Sequence, residues 1–235
     1  MLNAVQNGLD KEGYLPGKLQ VKRKAHDLYN EKKMFETPQV MNTRIVASYA
    51  FAVGEENASG GLIVTAPTCG ASGVMPAVLR HLKDNNVPYE NIINGLAVAG
   101  LVGNLIKENA SISGAECGCQ AEVGSACSMA AALYCYATNA SLSQMEAAME
   151  MALEHNLGLT CDPVEGYVQI PCIERNAVAA LKALDVSIIA SSLSNNEVKV
   201  SFDEVTVTMY ETGKALNSDY RETSKGGLAK ILKKD

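Results

Sequence analysis

Seven cysteines, at positions 69, 117, 119, 127, 135, 161 and 172, are the side chains with the most chemistry to offer in this sequence. A thiolate can attack, change redox state or ligate a soft metal, and its surroundings decide which. No pair has the C-x2-C spacing of zinc ribbons and thioredoxin-like centres. Cys127 and Cys135 stand eight residues apart in a helical pattern, hence on one helix face, and read as small buried hydrophobes. Cys119, Cys161 and Cys172 differ, because each lies in or beside an expected loop, with Gly118, Pro163 or Pro171 close by. Thiolates gathered from separate loops are how iron–sulfur clusters are held. The spacings of 42 and then 11 residues leave that reading open beside three inert thiols, and on spacing alone the inert reading outweighs it.

Helices must position these thiols. Thr37-Pro38 supplies an N-cap followed by proline in the first turn, and Val40, Met41, Ile45, Tyr49 and Val53 follow at helical spacing. Residues 54–73 carry five glycines and read as a loop. Further helices are expected at about 74–86, 89–107, 123–138, 143–157, 174–190 and 202–217, with capping boxes at Ser143-x-x-Glu146 and Ser201-x-x-Glu204. Strand signals are few. The fold class is therefore all-α, a compact helical domain with its site on interhelical loops. Residues 1–36 read as an irregular N-terminal connector and 37–235 as the helical domain. The basic group Lys18, Lys22, Arg23 and Lys24 reads as a solvated face. The uncapped start Met1-Leu2-Asn3 suggests the cut edge of something longer.

Composition bounds the rest. The 235 residues are 47% apolar with a formal charge of −6, enough for a sizeable core and against a surface built for nucleic-acid phosphates. The longest apolar run, around Leu96 to Ile106, is too short to span a bilayer. Seven cysteines with no basic-then-apolar leader lead us to expect reduced thiols in a cytoplasmic setting.

Four segments carry a more specific signal. They are VTAPTCGASGVMPAVL (64–79), NASISGAECGCQAEVGSACSMAAAL (109–133), EHNLGLTCDPVEGYVQIPCIERNA (154–177) and MYETGKALNSDYRETSKGGLA (209–229). Together they resemble the catalytic domain of the iron–sulfur-dependent L-serine dehydratases, over nearly the whole chain. The resemblance implies an all-helical lyase that converts L-serine to pyruvate and ammonia without pyridoxal phosphate. It further implies a 4Fe-4S cluster on Cys119, Cys161 and Cys172, Cys117 being a neighbour outside the ligand motif, with a fourth iron acting as Lewis acid on the departing hydroxyl.

On that reading the substrate carboxylate needs a site, and the loop Thr65–Gly73 leads into a helix whose N–H groups could form one, a tight turn being the equal alternative. Thr68 and Ser72 are its candidate substrate contacts, and Asn109, Ser111 and Ser113 are expected to line the pocket. Lys107 and His155 are the candidates for the base, although a packed or helix-terminal role slightly outweighs catalysis for His155. Two departures stand out. Lys234 stands about where single-chain members of that family carry a tail cysteine, and a regulatory beta-type domain would have to precede residue 1 or come from another chain. A homo-oligomer is expected. Cysteine desulfidation by the same architecture, and a fragment or partner subunit holding no cluster, are the rival readings.

Overall fold

The computed structural model describes residues 1–31, 34–193 and 198–232; the Lys234 departure lies outside them. Among the described residues the chain forms eleven α-helices and no strands. They are α1 (Leu2–Leu9), α2 (Ala25–Asn30), α3 (Pro38–Ala58), α4 (Val74–Asp84), α5 (Tyr89–Asn109) and α6 (Gly114–Cys117). After them come α7 (Ser125–Ala137), α8 (Leu142–Glu154), α9 (Cys172–Ser192), α10 (Phe202–Ala215) and α11 (Gly227–Ile231). The fold class is as the sequence pattern indicated.

Helix α7 is the axis of the molecule. Eleven of its thirteen residues are buried, and α4, α5, α8 and α9 surround it. A helix enclosed on all sides cannot be amphipathic, and its Ala130-Ala131-Ala132 run lets four neighbours approach at short range. On α5, Gly95 meets Leu133 so closely that a Cβ would lie 2.9 Å from the leucine Cδ1.

Local signals set the helix starts. Thr37 caps α3, its Oγ1 accepting from Val40 N at 3.3 Å. Ser201 and Glu204 close the expected capping box on α10. On α8 the box is formed instead by Ser141 and Gln144, two residues earlier than Ser143 and Glu146. Both registers fit the motif, and the extended backbone at Ser141 places the first turn at Leu142.

Three expectations are revised. Helix α3 continues through Gly54 to Ala58 rather than breaking at 54, because Gly54 is where α9 packs, a Cβ there standing 3.1 Å from Ile173 Cγ1. Within the stretch read as irregular, α1 and α2 pack on α3, and α1 buries Ala4, Val5, Gly8 and Leu9. Arg23 is not a solvated charge: it is 7% exposed, its guanidinium 3.7 Å from both Glu55 and Glu56, with Nη2 donating to Ser59 Oγ at 2.6 Å. Glu55 Oε1 also accepts the Lys24 and Ala25 N–H groups, so a buried ionic cluster fastens the N-terminal segment to the end of α3.

The C-terminal segment returns to the centre of the chain. Cys161 N donates to Tyr220 O at 2.8 Å and Glu222 N to Cys161 O at 2.7 Å, a parallel bridge pairing Cys161 with Arg221. Ser224 Oγ donates to Pro163 O and Leu228 N to Asp162 Oδ2. Residues 217–229 thus form a strap over the loop between α8 and α9.

Candidate metal centre

Three separate segments deliver Cys119, Cys161 and Cys172. Cys119 caps a π-helical turn, Gln120–Gly124, that runs straight into α7. The preceding Gly118 has φ +76°, and a Cβ there would sit 2.6 Å from Leu159 O, so the turn into Cys119 requires glycine. Buried Gln120 locks this turn, donating to Met209 O at 3.0 Å and accepting from Gly158 N at 2.9 Å. Cys161 is held by the C-terminal strap. Cys172 is the first residue of α9.

Helices therefore begin at Cys119 and Cys172, where the positive end of the peptide dipoles favours negative charge. All three cysteines are reduced and buried. The Cys119 and Cys161 sulfurs and a Glu122 carboxylate oxygen lie within 4.8 Å of one another. Gly114 leaves room beside them: a Cβ there would be 2.7 Å from Glu122 Oε2 and 3.1 Å from Cys161 Sγ. Gly70 faces Glu122 in the same way, at 3.3 Å.

The electrostatics follow from this crowding. A hydrogen bond from Cys161, helped by the Arg175 cation, pulls the Cys119 thiol below its ordinary range against the effect of burial. The Cys161 thiol is pushed far up, first by that same bond to Cys119 and then by burial. Burial, with the charges of Cys119 and Glu122 adding, pushes Cys172 up to about 12. Burial also raises Glu122, opposed by a hydrogen bond from Thr68 and reinforced by Glu222. Any metal bound by these sulfurs would have to displace the protons of the raised thiols, because thiolates and not thiols are ligands.

Arg175 and Asn176 hold the parts in register, and the sequence pattern alone did not single them out. Arg175 donates to Thr160 O at 2.5 Å and to Asp162 Oδ1 at 3.1 Å, bracketing Cys161. Buried Asn176 donates to Gly70 O and Cys172 O at 2.7 Å each, and accepts from Gly73 N at 2.8 Å. It joins the 65–73 loop to the start of α9.

A family model described as serine dehydratase alpha chain matches residues 1–229. The chain belongs to that family. It is 50% identical over 232 residues to an L-serine dehydratase of Streptomyces coelicolor, covering 97% of this chain and 50% of that one. It is also 50% identical to L-serine dehydratase 2 of Escherichia coli K12 over 235 residues, 97% of this chain and 51% of that one. A Helicobacter pylori L-serine dehydratase is 48% identical over 240 residues, 99% of this chain and 52% of that one. The chain spans about half the length of these relatives.

The other expected site residues are distributed unevenly. Thr68 reaches Glu122 and so borders the thiol cluster. Ser72 is buried on the same loop, its hydroxyl without a hydrogen-bond partner. The loop's N–H groups are largely spent: Ala71 N donates to Thr68 Oγ1, Ser72 N to Cys69 O, Gly73 N to Asn176 and Val74 N to Ala71 O. A ligand there meets side chains rather than a row of amides.

Ser111 Oγ donates to Glu116 at 2.7 Å and accepts from Ser113 N, while Asn109 donates to Leu105 O in its own helix. Ser113 precedes Gly114 at the start of α6, without a side-chain capping bond. Lys107 and His155 are exposed at the ends of α5 and α8, the His155 ring bonded to Met151 O. Among the described residues no hydrogen bond or ion pair ties either to the thiols. Cys117 turns toward α10, its sulfur 4.0 Å from Tyr210 O and packed on Gly213. Among the described residues no helix is long and apolar enough to cross a membrane.

Proposed function

We propose that this chain is the catalytic half of an L-serine dehydratase, a cytoplasmic enzyme taking L-serine to pyruvate and ammonia with a 4Fe-4S cluster held by Cys119, Cys161 and Cys172. The observation that carries the reading is the convergence of the buried Cys119 and Cys161 thiols, with buried Cys172 close enough for the Cys119 charge to act on it, in a chain about 50% identical to proteins named for that activity. The donor set fits the group: sulfur ligands, helix N-termini behind two of them, a cation beside Cys119, and glycines where a side chain would intrude. When bound, the cluster supplies a Lewis-acidic iron for the departing hydroxyl.

The protein's own residues do the rest. Cys119, Cys161 and Cys172 fix the group, and the strap from Asn217 to Leu228 covers the Cys161 side against solvent. Arg175 holds Thr160 and Asp162 so that the Cys161 thiolate points inward. Thr68 and Ser72, with Ser113 beside Gly114, are the hydroxyls we assign to the substrate's carboxylate and amine. Asn109 and Ser111 take part by shaping the 109–113 turn. Removal of the α-proton completes the elimination, and the aminoacrylate released hydrolyses to pyruvate and ammonia. Lys107 and His155 remain the residues to test as base. A regulatory domain or partner chain would fit the doubled length of the relatives, and we propose self-association beside it.

Anaerobic reconstitution with iron and sulfide, followed by a pyruvate assay, tests the reading. A brown protein is expected, with the colour lost in C119A, C161A and C172A and kept in C117A. Colour retained in the three variants but lost in C117A would overturn the ligand set. Faster turnover of L-cysteine than of L-serine would make the chain a desulfidase, and a colourless wild-type protein would make it a partner subunit.

A further inference from the structure

Arg175 is held among the residues that carry all three thiols. It follows Cys172 by about one turn of α9. Its Nη1 donates to Thr160 O at 2.5 Å and its Nη2 to Asp162 Oδ1 at 3.1 Å, the two residues that flank Cys161. The guanidinium also reaches the Cys119 sulfur, and its charge acts on Cys119 and Cys172 together. The side chain is only 18% exposed, so water and salt screen it little. Fastening Cys161 does not call for a cation here. Thr160 O is a neutral acceptor, and Asp162 already accepts from Thr160 Oγ1 and Leu228 N. What the guanidinium adds is a permanent positive charge. It stands against carboxylates, since Glu122 acts on all three thiols and Glu222 on Cys161. The cations Lys214 and Arg221 act on Cys117, outside the ligand motif.

The potential of an iron–sulfur cluster follows the charge around it and the hydrogen bonds to its sulfurs. A cation fixed beside those sulfurs favours the form with more electrons and opposes the loss of one. We infer that Arg175 protects the cluster against oxidation, its fixed positive charge raising the potential at which an electron leaves. This rests on the cluster reading above and adds to it an electrostatic role separate from placing the ligands. The step that Arg175 opposes is a one-electron oxidation. The doubly positive four-iron core gives one electron to an oxidant such as ferricyanide. The triply positive core then sheds one ferrous ion and leaves a singly positive three-iron core.

The test uses the full chain, reconstituted anaerobically with iron and sulfide as wild type, R175K, R175M and D162N. A redox titration followed by electron paramagnetic resonance gives the midpoint potential of each. That of R175M should fall by at least about 59 mV, a tenfold change in a one-electron equilibrium. R175K keeps the charge and should recover at least half of the fall. D162N removes the anion that partly cancels Arg175, and should raise the midpoint. Ferricyanide should convert R175M to the three-iron form about threefold faster than wild type or more. A chelator without oxidant should strip iron from both at the same rate. A midpoint in R175M equal to that of wild type overturns the inference and leaves the cluster reading intact. An R175K midpoint as low as that of R175M does the same, because charge would then not be the cause. Iron loss to the chelator that is accelerated as much as loss to ferricyanide also overturns it, by showing a loosened site. If R175M assembles no cluster, D162N decides, and a midpoint no higher than wild type overturns the inference. A wild-type protein that assembles no cluster overturns both readings.

Discussion

Replacing Asn176 by alanine tests whether one buried amide holds two parts of the site together. The side chain is 1% exposed and makes three hydrogen bonds, to Gly70 O, Cys172 O and Gly73 N. Their energetic consequences differ. Gly73 N has no other partner in the turn, so its N–H is left buried and unsatisfied, costing about 1–3 kcal/mol. The Cys172 carbonyl lies in the first turn of α9 and keeps its helical bonding, and the Gly70 carbonyl is only partly buried. Each of those lost bonds counts for about 1 kcal/mol. The sum is about 3–5 kcal/mol, a large share of the ~5–15 kcal/mol that holds a typical domain folded.

Urea unfolding of the metal-free chain, followed by far-UV circular dichroism, measures it directly. The midpoint should fall with the slope unchanged. Because the amide also fixes Cys172 relative to Thr68, N176A should lose cluster assembly as well. A destabilisation below about 1 kcal/mol would refute the reasoning, since it would mean that the loop and α9 are positioned by packing alone.

Gly118→Ala should destabilise by about 2–4 kcal/mol, combining the left-handed φ with a Cβ pressed onto Leu159 O. Gly100→Ala, on α5 with open space around it, should instead stabilise by up to about 1 kcal/mol, and the pair compared by urea unfolding separates backbone strain from composition. Cys172 and Cys127 are both pushed up to about 12 by burial, so the folded metal-free chain holds protons that the unfolded chain releases from about pH 9 upward. Stability from these groups is fully present below the unfolded pKa and is lost as pH rises toward 12. Urea midpoints should therefore drop between pH 8 and 11, and C127A should flatten the decline; an unchanged slope in C127A would assign the effect elsewhere.

The helices were legible because their signals are local. Thr37-Pro38 and Ser201-x-x-Glu204 start helices where they stand, and alanine-rich 130–132 lies in the helix that every neighbour packs against. Where two local solutions competed, at Ser141 and Ser143, motif reading could not choose between them. Gly54 misled for a related reason: glycine signals either a break or a close approach, and only the presence of Ile173 selects the second. Lys18, Lys22 and Lys24 are exposed as expected, but Arg23 in the same run looked solvated because Glu55 and Glu56, its partners, lie over thirty residues away.

For the site, the sequence by itself determined the thiols and, through four motifs, the family they belong to. A thiol's identity and its loop context travel with the chain. What the tertiary structure decided is the company those thiols keep. Glu122, Arg175 and Asn176 gain their meaning only when α9 meets the 65–73 loop and the π turn, and the strap from 217 to 229 reaches Cys161 from sixty residues away. Charge and hydrogen-bond complementarity act over a few ångströms of space, and nothing in a residue's own neighbourhood of sequence records which distant groups will come within that range.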